Sequence, residues 1–298
     1  MMNEEILKLT GLDKWHKYEG ERGLSVAFEG FDTGKPSLGG MATDARQAET
    51  DKSDHGYFRA MVMHTLLPKR KIVILDKLAA NMLKYSIPYM LEHKPDTAGW
   101  SESTGVKQAE CPEMAKVAEF CSMFASAGNK ADAAYNKRID LSYWFGVGAV
   151  SIKNGKVVTE VYTSESENVD FAGFADIQFA LDNGKIYSFD GTSCGGPVVE
   201  VQAAKVNELV ISKAGYSLSA AQMGAYLKSH RVDVDTAGRD VRTGWGYVKL
   251  PKPDIVEREL FQLLKIGESL YAEAQKLGRK LTTADYLSAA KDWRLPDD

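Results

Sequence analysis

Short apolar runs separated by longer stretches of helical periodicity mark the first half of the chain. Leu24-Ser25-Val26-Ala27-Phe28-Glu29-Gly30-Phe31 reads as a strand ending at Asp32, and Lys71-Ile72-Val73-Ile74-Leu75 is the clearest strand. Phe120–Ala127, closing on Gly128-Asn129, and Trp144–Val150 complete the set. Brief apolar runs bounded by turn residues suit strands buried on both faces. Helical patterns fall between them, at about 55–67, 76–93 and 112–120. A short one at 3–18 puts Ile6, Leu7, Leu9 and Leu12 on one side. A long helix is expected over about 193–213, and another near 219–229. Strands alternating with helices argue for an α/β fold, a mostly parallel sheet with helices on both faces. Polar groups at the C-terminal ends of such strands face the usual crevice. Asp32 and Asn129 fall there.

The pattern breaks at Pro251-Lys252-Pro253. Asp254 is placed to cap an amphipathic helix carrying Ile255, Leu260, Leu263, Leu264 and Leu270. The expected division is a core of residues 1–252 and a helical C-terminal extension of 253–298. No internal repeat or low-complexity tract appears.

Composition narrows the function classes. At 298 residues, with 44% hydrophobic and 26% charged positions, the chain can bury a full core as one large α/β domain or two small ones. A formal net charge of −4 and a pI near 5.8 offer no basic surface to nucleic acid. The N-terminus, MMNEEILKLTGLDKW, lacks the basic-then-apolar pattern of a secretory signal, and no apolar run is long enough to span a membrane. Cys111, Cys121 and Cys194 are too few and odd in number for a disulfide framework, so a cytoplasmic, reducing location is expected.

Candidate chemistry sits in Asp32-Thr33-Gly34, Asp54-His55-Gly56 and Gly191-Thr192-Ser193-Cys194-Gly195-Gly196-Pro197. Serine is a weak nucleophile unless a base lies within hydrogen-bond reach and a third group holds that base. Asp32 as orienting carboxylate, His55 as base and Ser193 as nucleophile supply these parts, in a chain order found among triad enzymes. A helix starting near Ser193 would expose its hydroxyl and aim backbone N–H groups at a developing oxyanion.

These strings resemble the active-site motifs of the subtilisin-like serine proteases, the subtilases. The likeness spans about residues 5–250 and is weakest at 151–180. The family's His-Gly-Thr-His becomes His55-Gly56-Tyr57-Phe58, and its Gly-Thr-Ser-Met-Ala-Ala-Pro becomes Gly191–Pro197 with glycines for both alanines. Ala127-Gly128-Asn129 resembles the family's Ala-Gly-Asn, which implies that Asn129 donates to the oxyanion. Tyr135 and Phe145–Val150 resemble the segments that follow. The family's substrate-binding strand aligns with Ser101-Glu102-Ser103, and Ala125-Ser126-Ala127 would form the opposite wall. The resemblance implies an endopeptidase with a polypeptide substrate, acting through an acyl-enzyme, with residues 1–252 as its peptidase domain. It implies no cofactor. No metal is expected, because the family's calcium loop has no room between His55 and Lys71. The altered Ser101–Ser103 strand keeps open an impaired pseudoprotease or peptide-binding module on the same fold. A serine esterase is a more distant alternative.

Overall fold

The computed structural model describes residues 4–29, 55–75, 82–101, 113–131, 143–180, 186–259 and 276. Asp32, Glu102, Ser103, Cys111, Tyr135 and most of the C-terminal extension lie outside the described residues.

The chain enters through α1 (Glu4–Thr10) and reaches β1 (Leu24–Phe28). α2 (His55–Leu66) leads into β2 (Lys71–Leu75), and α3 (Ile87–His93) into β3 (Thr97–Trp100). After α4 (Met114–Val117) come β4 (Ser122–Ser126), β5 (Trp144–Lys153), β6 (Lys156–Thr159) and β7 (Val169–Phe174). A separate antiparallel pair, β8 (Ile177–Ala180) and β9 (Ile186–Phe189), runs into the long helix α5 (Thr192–Ala214). α6 (Ala220–Ser229), β10 (Arg231–Val232) and β11 (Tyr247–Val248) follow. The main sheet has the order β10-β11-β7-β5-β4-β3-β1-β2, with β6 paired to β5. Its pairings from β2 across to β11 are parallel, and β6 and β10 are antiparallel additions. This is the expected α/β architecture, a large mostly parallel sheet with helices on both faces.

Alternation along the strands divides the interior between the two faces. Ala27 and Phe124 join a core built with α2 and α5, whereas Val26, Phe28, Met123 and Ala125 join one built with α3 and α4. α5 is buried from Thr192 to Val210. Packing covers that helix on every side, and its buried polar side chains, Glu200, Gln202, Lys205 and Asn207, all find partners.

Two boundaries differ from those read in the sequence. β1 stops at Phe28, so Glu29 lies just beyond the strand rather than inside it. β5 runs on to Lys153 and folds back into β6 through Asn154-Gly155, both with positive φ (53° and 71°). That pair is the favoured chemistry of a two-residue hairpin turn. At the C-terminal side, a helix over residues 253–259 sets Val256 into the main core. Glu259 there accepts from Tyr226 Oη at 3.0 Å and pairs with His230 Nε2 at 2.9 Å.

Candidate active site

The order of strands reverses at β1, which has β2 on one side and β3 on the other. The crevice of an open α/β sheet lies at such a point, beyond the carboxyl ends of the two diverging strands. The first residue after β1 is Glu29 and the first after β3 is Ser101. Glu29 stays in register because its backbone N–H donates to Leu75 O at 3.2 Å. Its side chain is buried, and Oε1 accepts the backbone N–H of Ser101 at 2.8 Å. Oε2 lies 3.1 Å from Nδ1 of His55, the first residue of α2. An ionised carboxylate only accepts, so this contact places the proton on Nδ1 and leaves Nε2 as the basic nitrogen of the neutral ring. The imidazole also meets Phe189 edge-on, with ring centroids 5.4 Å apart. Phe189 ends the strand that leads into the Ser193 helix, so this contact ties the His55 ring to the segment that carries Ser193.

Ser193 occupies the second position of α5 and is buried. Its Oγ donates to the backbone O of Ser101 at 3.1 Å. Ser101 is therefore a hub, with its N–H on Glu29 and its carbonyl on Ser193. The turn into α5 needs Gly191, whose φ is 84°, a region that L side chains rarely adopt. A Cβ at Gly191 would also lie 2.6 Å from Asn129 Nδ2. Asn129 is fastened to this turn, since its Oδ1 accepts both the N–H and the hydroxyl of Thr192 at 2.9 Å. Thr192 Oγ1 in turn accepts from Gly128 N at 3.0 Å, and Ser126 Oγ donates to Thr192 O at 2.8 Å. With Oδ1 anchored, the Asn129 amide nitrogen lies against Gly191 at the mouth of the helix. The first N–H groups of a helix lack intrahelical partners, and they add positive potential at the same spot.

A buried ionic seam supports this edge of the sheet. Arg59 Nε donates to Ser101 Oγ at 3.0 Å and lies 3.5 Å from Glu29 Oε1, while its Nη2 pairs with Glu200 of α5. Glu200 Oε1 accepts from Thr97 Oγ1 at 3.2 Å, and Thr97 meets Ser25 at 2.7 Å. Arg70 Nε donates to Ser25 Oγ at 3.0 Å and its Nη2 pairs with Asp96 at 2.5 Å. Gly99 leaves the room that Arg59 and Glu200 occupy. Burial pushes the Glu29 carboxyl up, but His55, Arg59 and the Ser101 N–H together outweigh it and hold Glu29 below the usual carboxylate range. At Glu200 burial wins and pushes the carboxyl up despite Arg59, Thr97 and Arg70. Burial also pushes the Cys194 thiol up, which leaves it a packing residue beside Ser193.

Of the residues singled out in the sequence, His55, Ser193, Asn129, Ser101, Ser126 and Ala127 converge on this one edge of the sheet. Ala125 lies buried in β4, one residue before Ser126. Glu29, Arg59 and Glu200 were missed. Glu29 had one legible signal, as the first polar side chain after Val26-Ala27-Phe28.

Several solved proteases share the fold. A lanthipeptide protease superposes with a TM-score of 0.64 at 17% identity, covering 86% of this chain and 95% of that one. The prenylagaramide maturation protease PagA gives 0.63 at 13% identity, covering 95% and 98%. Sphericase gives 0.64 at 18% identity, covering 83% and 97%. No family model and no curated protein matches the sequence. At these identities the likeness is one of fold, and the fold of this chain is protease-like, with an α/β sheet of the subtilisin type.

Proposed function

We propose that this chain is a serine endopeptidase that cleaves polypeptides through an acyl-enzyme. The observation that carries the reading is the hub at Ser101, whose carbonyl holds the Ser193 hydroxyl and whose N–H holds the carboxylate on His55. Ser193 Oγ attacks the scissile carbonyl carbon while His55 Nε2 takes the hydroxyl proton. His55 then returns that proton to the leaving amine, and the bond to the amine breaks. Water repeats the cycle on the ester and frees Ser193. Asn129 Nδ2 and the N–H groups at the start of α5 meet the oxyanion as it develops. For the acid, the sequence motif nominates Asp32. An extended substrate would pair with the chain after Ser101, Glu102 and Ser103 included, opposite Ala125-Ser126-Ala127, as peptides do when they add to a sheet edge. The protease-like fold supports the polypeptide as substrate, and no helix among the described residues is long and apolar enough to cross a membrane.

Incubation of the wild-type chain and Ser193→Ala with a mixture of unstructured polypeptides, read by mass spectrometry, tests the proposal. New termini from wild type alone support it. Equal cleavage by both, or none by wild type, overturns it.

A further inference from the structure

We propose that Glu29, rather than the aspartate of Asp32-Thr33-Gly34, is the carboxylate that orients the catalytic base; the inference rests on the peptidase reading above. A triad acid has to meet three physical demands. It must touch Nδ1 of the histidine, remain ionised at the working pH, and be fixed so that the ring it holds is fixed too. Glu29 Oε2 lies 3.1 Å from His55 Nδ1, within hydrogen-bond range. The other oxygen is clamped by the Ser101 N–H at 2.8 Å, with the Arg59 guanidinium 3.5 Å away. Both oxygens are thus engaged, and a carboxylate held by a donor on each side has one orientation.

Charge agrees with geometry. Arg59 lies between the buried Glu29 and Glu200, and His55 and Arg59 both favour the ionised form of Glu29. In the proposed cycle His55 takes the proton of Ser193, and a carboxylate beside its Nδ1 stabilises the imidazolium that forms. The added methylene of glutamate over aspartate fits the path. β1 ends one residue before Glu29, and the side chain must reach across to both the β3 end and the first residue of α2.

Glu29 acts on substrate only through His55, so it is a positioning residue, and its test needs readouts that simple support of the fold would not move. Glu29→Gln, Asp32→Asn and wild type are compared for kcat and KM on a cleaved peptide. A low-field proton NMR spectrum reports the hydrogen-bonded His55 Nδ1–H. Loss of charge at the acid without loss of shape lowers kcat by about 10⁴-fold in triad enzymes, through the wrong imidazole tautomer. Glu29→Gln is expected to lose kcat on that scale with KM little changed, and to lose the low-field signal. Asp32→Asn is expected to keep both. Retention of kcat in Glu29→Gln, or a collapse of kcat with loss of the signal in Asp32→Asn, overturns the inference. If Glu29→Gln does not fold, wild type and Asp32→Asn still decide, because an inactive Asp32→Asn without the signal overturns it and an active one with the signal supports it. A wild type that cleaves nothing overturns the peptidase reading itself, whereas an active wild type with an equally active Glu29→Gln overturns only the role of Glu29.

Discussion

Placing alanine, as the subtilase motif has, at Gly195 and at Gly196 should have opposite effects on stability, although the two sites are neighbours in α5. In a helix interior alanine is favoured over glycine by up to about 1 kcal/mol, so propensity alone would make both changes stabilising. The surroundings separate them. A Cβ at Gly195 would lie 2.8 Å from the carbonyl oxygen of Gly173 and 3.0 Å from that of Gly148. Both are backbone atoms of strands in the middle of the sheet and have no rotamer by which to move. Gly173 is equally constrained, since a Cβ there would run into the carbonyl of Gly195. The helix thus rests directly on the backbone of β5 and β7. Overpacking of a fixed core site costs about 1–3 kcal/mol. Offset by the helical gain, Gly195→Ala should lose roughly 1–2 kcal/mol, and the displaced helix start should slow catalysis at Ser193 two residues away. At Gly196 the Cβ meets only Ser126 Oγ, at 3.1 Å, a small side-chain atom able to give by a few tenths of an ångström. Gly196→Ala should therefore be neutral or stabilising by up to about 1 kcal/mol. Urea unfolding followed by tryptophan fluorescence measures both midpoints, and peptide hydrolysis measures the rate. A Gly195→Ala protein more stable than wild type, or one no less stable than Gly196→Ala, would refute the reasoning.

Three further outcomes are expected. Arg59→Met leaves Glu29 and Glu200 buried without their guanidinium, and breaking such a pair costs about 3–5 kcal/mol; a loss below about 1 kcal/mol in urea unfolding would mean that the seam is not a stabilising unit. Burial pulls the Lys205 ammonium down from 10.5 to about 8 against the pull of Glu208 and Glu19. Charging this amine is thus harder in the folded chain, so folding is penalised below the folded value and the penalty vanishes as pH rises to the unfolded one. Stability relative to Lys205→Met should accordingly rise between pH 8 and 10.5, and a flat difference there would contradict this. α2 runs without interruption from His55 to Leu66, so a chelator should leave the thermal midpoint of the chain unchanged; a fall of many degrees that calcium reverses would reveal a site.

Much of the framework could be read from the sequence because its signals are local. The apolar runs of β1, β2, β4 and β5 announced themselves, and His55 and Ser193 sit at helix starts where their motifs put them. The hairpin from β5 into β6 also has a local signal, Asn154-Gly155, which lies beyond the end of the apolar run. What escaped was tertiary. Glu29 looks like an interior strand residue until β1 is seen to end at Phe28, and the nearby Asp-Thr-Gly string draws attention away from it. Arg59 and Glu200 are 141 positions apart and meet only because α2 crosses α5, so no spacing rule connects them. Gly173 and Gly195 read as unrelated small residues, and only the approach of α5 to the sheet shows why a side chain is excluded at each, while Gly148 faces the Arg242 carbonyl.

The central claim is that Ser193 is an activated nucleophile. Treatment of the native chain with a fluorophosphonate, followed by digestion and mass mapping, tests it without any knowledge of the substrate. One adduct is expected, on the peptide containing Ser193, absent in Ser193→Ala and after unfolding, and strongly slowed in His55→Ala. No adduct on the native chain, or an adduct that maps to another residue and survives Ser193→Ala, would contradict the account.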